Sequence, residues 1–162
     1  MATWLTHGDS FCFHDILPGI NGMKDLRERM EATGKDHVGV SDSGNIFLIE
    51  SIAKEFPEAK YIIILRDTTE VVNSFHNIGI QIDAEVIDSA REELEWRHSS
   101  FGTPAYDFNE LTETNCKRIW KYLIGTEFDP QRWALLNNLM IEVNVDYLKN
   151  QIKKNEANVK AL

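Results

Sequence analysis

What this chain lacks narrows it first. Cysteine is scarce: Cys12 and Cys116 stand far apart and outside any Cys-x-x-Cys spacing. That excludes a disulfide framework and makes two reduced thiols in the cytosol the expectation. No apolar run approaches the roughly 20 residues that a membrane span needs. No lysine or arginine precedes Lys24, and no apolar stretch follows the start, so the N-terminus does not read as a signal peptide. A cytoplasmic protein without membrane contact is expected. His7, His14, His37, His76 and His98 keep no metal-ligand spacing with one another or with the cysteines, so no metal site is expected. Positive charge is also in short supply, 17 basic against 26 acidic residues, for a formal net charge of −9. Broad nucleic-acid binding requires a basic face and is not expected. A local basic pocket for a small anion remains compatible with that balance.

What is present fits a globular α/β protein. Hydrophobic residues make up 43% of the 162, enough to bury a core without staples. A single domain over residues 1–148 is expected, followed by a polar, lysine-bearing tail over 149–162. Thr3–Phe13 mixes apolar residues with the turn-like His7-Gly8-Asp9-Ser10. Met23, Leu26 and Met30 keep helical spacing, and Gly34 is a stop. Val38–Val40 reads as a buried strand, and Ile46–Phe56 as a helix that Pro57 ends. Tyr61–Leu65 is a continuous, β-branched run, the pattern of a strand covered on both faces. Asp67 with Glu70 resembles a capping box opening a helix that runs to about Asn77. Residues 38–77 therefore read strand, helix, strand, helix, a βαβ unit with parallel neighbouring strands.

Beyond it the chain is mostly helical. Asp83–His98 reads as a helix with Val86, Ile87, Ala90 and Leu94 inward, and Ser99–Asp107 as a loop. Phe108–Ile124 reads as a second helix, and a third begins with Asp129 as cap and Pro130 in its first turn. Leu139–Val145 alternates as a last strand would. Trp96, Trp120 and Trp133 fall on apolar helix faces and are expected in the core. The charged run Arg91–Glu95 reads as a solvated face.

One feature of this pattern carries chemistry. The greasy strand ends in Arg66, and Ser74 follows two turns into the next helix. In open α/β sheets ligands bind beyond the carboxyl ends of the strands. A helix N-terminus there favours an anion, which a guanidinium fork and a hydroxyl can hold. Ser41-Asp42-Ser43 ends the preceding strand. If the two strands are neighbours, both loops open into one crevice, and Ser41 and Ser43 join the candidate anion ligands. Helix capping is the competing role for Ser41, Asp42 and Ser43, and an ion pair with Asp42 or Glu70 is the competing role for Arg66.

The segment Ile64–Phe75, "ILRDTTEVVNSF", resembles the 3′-phosphate-binding segment of sulfotransferases, P-loop proteins in which a strand ends in Arg and a Ser lies eight positions later. "LIESIAKEFPEAKYIIILRD" is similar to the helix and strand that precede it there, and "CKRIWKYLIGTEFDPQRW" resembles a helical part of some bacterial and phage sulfotransferase-like proteins. The resemblance implies a P-loop NTPase-like three-layer core with a short parallel sheet and a helix-rich C-terminal half. It implies a nucleotide donor, 3′-phosphoadenosine 5′-phosphosulfate (PAPS), with Arg66 and Ser74 on its 3′-phosphate. It also implies an acceptor hydroxyl or amine deprotonated by a base, for which His7 and Asp9 are the candidates. The family's usual Pro two after the Arg is Thr68 here. The basic loop that grips the 5′-phosphosulfate has no counterpart, and there is no GxxxxGK[ST]. Either the chain is shortened at its N-terminus or that site is lost. Three readings stay open: an active sulfotransferase; a catalytically inactive, degenerate P-loop domain that binds a nucleotide or a protein partner; and a nucleotide or small-molecule kinase relative, which the absent Walker lysine weakens most. An exposed edge strand and apolar helix faces in a shortened core make a homodimer a further expectation.

Overall fold

A computed structural model describes residues 2–42, 45–77 and 79–137. The chain divides into two compact units, one of Met1–Ile62 with Glu110–Leu136 and one built on Ile63–Asn109.

In the first unit, helix α1 (Ala2–Leu5) leads through the His7–Ser10 turn into strand β1 (Ser10–His14). Gly8 sits in that turn at φ 59°, a left-handed conformation that glycine adopts without strain. The hydroxyl of Ser10 donates to the carbonyls of Leu5 and His7, at 2.8 and 2.7 Å, so this buried serine is satisfied locally. Helix α2 (Met23–Ala32) then crosses over to strand β2 (His37–Ser41). The two strands pair in parallel, from Ser10 opposite His37 to His14 opposite Ser41. Helix α3 (Asn45–Glu55) follows, and Arg27 on α2 reaches its far end, with Nε 2.7 Å from Glu55 Oε1 and the guanidinium over the Phe56 ring. Helices α6 (Glu113–Leu123) and α7 (Pro130–Asn137) complete this unit. Its core holds Trp4, Leu5, Cys12, Leu26, Cys116, Ile119 and Trp120. Trp4 meets Trp120 and Phe128 edge-on, and Trp120 Nε1 donates to Thr126 Oγ1 at 3.1 Å.

In the second unit, strand β3 (Ile63–Leu65) is followed by helices α4 (Thr68–Asn77) and α5 (Ala84–Phe101) and by strand β4 (Ala105–Asp107). Strands β3 and β4 pair in parallel, from Ile63 opposite Ala105 to Leu65 opposite Asp107. Helix α5 stops at Gly102, which takes the left-handed conformation at φ 66° and donates its N–H to the His98 carbonyl. Among the described residues of this unit only Ile63 is buried.

Most helices read from pattern over residues 23–98 hold within a few residues, and the mixed α/β class holds with them. The expected neighbourhood of the strands does not. β2 and β3 lie in different sheets, each sheet having two strands. The βαβ unit read over 38–77 is displaced one step, to β1–α2–β2, because β1 supplies five residues of pairing for β2. The strand expected to be covered on both faces is accordingly half-covered, with Ile64 and Leu65 partly accessible. Four further corrections follow from local chemistry. The loop expected over Ser99–Asp107 contains the end of α5 and all of β4, whose Ala-Tyr-Asp sequence is too short to show a period. The helix expected from Phe108 begins only at Glu113, where Thr112 caps it by accepting from the Asn115 N–H, after a single 3₁₀ turn at Phe108–Glu110. Val86, expected inward, is exposed. Trp96, expected in the core, is also exposed and packs edge-on against the exposed Phe101 ring. The strand expected over Leu139–Val145 and the tail from 149 lie outside the described residues. No helix among the described residues is long and apolar enough to cross a membrane.

Candidate functional site

Two parallel strands that end side by side define a place where the chain leaves the sheet twice. At the carboxyl ends of β3 and β4 the outgoing residues are Arg66-Asp67 and Phe108. Helix α4 starts directly after Asp67, whose Oδ1 accepts the Glu70 N–H at 3.1 Å. This is one half of the capping box anticipated from the sequence.

Arg66 is held on both sides. Its Nε donates to Glu70 Oε2 at 3.0 Å, and its guanidinium lies 4.9 Å from the centre of the Phe108 ring. The side chains of Arg66 and Glu70 remain 39% and 44% exposed, so water screens their pairing. Arg91, on α5, points at the same junction: its Nη1 donates to the Arg66 carbonyl at 3.3 Å and its Nε to Glu95 Oε1 at 2.8 Å. The Glu95 carboxylate holds the Arg91 guanidinium firmly in its charged form, with Asp107 and Asp67 adding to the effect. Thr68 Oγ1 donates to Asp88 Oδ1 at 2.5 Å, tying the first turn of α4 to α5. Ser74 lies exposed on α4, one turn beyond Glu70 and on the same helix stripe. The junction is rich in carboxylates, and the one paired with Arg66 is that of Glu70.

The other sequence-derived candidates lie in the first unit. Ser41 ends β2, where its carbonyl accepts from the Asp15 N–H. Asp42 braces the segment that follows β1, its Oδ2 accepting from the Leu17 N–H at 3.1 Å. Ser43 lies outside the described residues. Since β2 and β3 do not share a sheet, the premise that brought Ser41 and Ser43 to the Arg66 crevice is not met. His7 and Asp9 occupy the turn before β1. The carboxylate facing His7 is that of Asp129, with Oδ2 3.9 Å from Nε2, while Asp9 contributes its backbone carbonyl to the His37 N–H. Asp129 is also the cap of α7, with Oδ1 accepting from the Gln131 and Arg132 N–H groups.

Sequence reasoning missed Arg91, Phe108 and Asp129 as neighbours of candidate residues. Arg91 stands in a charged run that reads as solvated, and Phe108 follows a strand too short to recognise. Asp129 is distant from His7 in the chain, so no local spacing links them. Two shallow concavities, one beside Phe13 and Arg29 and one along α6, take in neither Arg66 nor Ser74. Comparison of the chain with protein-family models, with curated proteins and with solved structures finds no match.

Proposed function

We propose that this chain is a sulfotransferase-like nucleotide-binding protein whose β3–α4 junction takes a phosphate group on Arg66 and Ser74. The 3′-phosphate of PAPS is the form that the resemblance implies, with transfer of a sulfuryl group to an acceptor hydroxyl or amine as the reaction. A P-loop-like three-layer core is the finer fold class that goes with this reading. One observation carries it: a guanidinium at the carboxyl end of a parallel strand reaches along the first turn of the next helix, on the stripe that also bears Ser74. The Glu70 contact that now occupies that guanidinium is an exposed i,i+4 pair, worth only about 0.3–0.5 kcal/mol, and a doubly charged phosphate outcompetes it.

A second reading, nucleotide binding without catalysis, is favoured by the absence of a GxxxxGK[ST] loop from the sequence. Both readings meet the same first test. Calorimetry with adenosine 3′,5′-bisphosphate is expected to show binding that Arg66→Ala removes and Ser74→Ala weakens, with adenosine 5′-monophosphate bound at least tenfold more weakly. Equal indifference to both nucleotides refutes the donor site. Transfer of sulfate from PAPS to a phenolic acceptor then separates the active reading from the inactive one.

A further inference from the structure

Helix α6 carries a cationic stripe that neither reading above uses. Cys116, Ile119 and Trp120 are buried on one side of it, which forces the opposite face outward. That face presents Thr114, Lys117, Arg118, Lys121 and Tyr122, at helical steps of three and four. Lys60 joins it from the end of the α3–β3 loop: its Nζ donates to the Tyr122 carbonyl at 2.9 Å and lies 5.7 Å from the centre of the Tyr122 ring.

The pairing of charges makes this stripe unusual within a chain of net charge −9. Lys24, Arg27, Arg29, Arg66, Arg91 and Arg97 each sit within ion-pair distance of a carboxylate. Lys60, Lys117, Arg118 and Lys121 form no ion pair among the described residues, although Glu113 stands one turn before Lys117. Their hydrogen bonds go to neutral oxygens, Arg118 to Asn115 Oδ1 and Lys121 to the Gly125 carbonyl. The remaining described cations without a carboxylate, Lys35, Lys54 and Arg132, are scattered singly along the sequence. Among the described residues, the positive charge on α6 is therefore concentrated and free of ion pairs.

We infer that this face binds a small ligand bearing two or more phosphate groups, held by Lys117, Arg118 and Lys121 with Lys60 and Tyr122 at one end. Thr114, Lys117, Arg118, Lys121 and Tyr122 line a shallow, open depression of about 490 Å³. At about 1.5 Å per residue, Lys117 and Lys121 are separated by roughly 6 Å along the axis and the whole stripe is about 12 Å long. Several cations at that spacing match closely spaced anionic groups. The arginine fork takes two phosphate oxygens at once, and the lysines act as point charges. An extended polyanion is disfavoured, because beyond the stripe it meets the negative field of the rest of the chain.

Tripolyphosphate and inorganic phosphate serve as probes, titrated separately into the isotope-labelled protein at low salt with amide chemical shifts as the readout. Tripolyphosphate is expected to shift the amides of residues 114–122 and of Lys60, and to half-saturate at a concentration at least tenfold below that of inorganic phosphate. The variant Lys117→Gln/Arg118→Gln/Lys121→Gln is expected to keep the wild-type amide dispersion and to raise the tripolyphosphate midpoint at least tenfold. Arg66→Ala is expected to change it less than twofold, which keeps this site independent of the β3–α4 junction. Shifts confined to residues outside α6, equal midpoints for the two probes, or a folded triple variant that titrates like the wild type each overturn the inference.

Discussion

Replacing Glu70 by glutamine separates the proposed binding role of Arg66 from its structural role, because the two predict opposite signs. In the free protein Glu70 occupies Arg66 at 3.0 Å, both side chains being well exposed. Removing an exposed i,i+4 pair of this kind spares an incoming anion about 0.3–0.5 kcal/mol. Glu70 also repels an anion at Ser74. One helical turn separates the two Cβ atoms by about 6 Å, so a unit charge there is repelled by about 0.7 kcal/mol in water before salt screening. Together these give about 1 kcal/mol, or roughly fivefold tighter binding of adenosine 3′,5′-bisphosphate by Glu70→Gln. Folding stability moves the other way. The variant loses the pair and an acidic residue in the first turn of α4, for a loss of about 0.5–1 kcal/mol. Calorimetry at 50 mM and 300 mM salt, beside urea denaturation, measures both quantities on the same preparations, and the affinity gain should shrink at the higher salt. Unchanged or weaker binding by Glu70→Gln refutes the idea that the phosphate and Glu70 compete for Arg66.

Two further outcomes test the first unit. Ile119 is completely buried on α6, so Ile119→Ala should cost about 3 kcal/mol in urea denaturation followed by tryptophan fluorescence, and a loss below about 1 kcal/mol contradicts the packing described. Burial pushes the Cys12 thiol from an ordinary value of 9.0 up to about 11, because the core disfavours the thiolate. The folded value is the higher one, so this contribution to stability is complete below pH about 9 and is lost as pH rises toward about 11. Cys12→Ala should flatten the fall in stability across that window, and an identical slope in both proteins would count against the burial of the thiol.

Much of the local structure was legible because its causes are local. The Asp67 carboxylate caps α4 three residues before Glu70, and Asp129 with Pro130 starts α7, each within one turn of chain. Helix α2 followed from the spacing of Met23, Leu26 and Met30, of which Leu26 is fully buried. Arg66 at the end of a strand and at the start of a helix was equally visible, since both elements announce themselves in their own residues. The strand Ala105–Asp107 left no such mark, because three residues with one aromatic show no period.

The sequence by itself determined most of the longer helices, which charges dominate, and where one strand hands over to a helix through an arginine. Tertiary structure alone decided the partners. It joined β2 to β1 and β3 to β4, turned Arg91 and Phe108 toward Arg66, and set Asp129 opposite His7. The physical reason is that capping, periodicity and propensity act within a few residues, whereas strand pairing and side-chain encounters are settled by competition among segments distant in the chain. β2 pairs with β1 over five residues, and the three residues of β3 pair with β4.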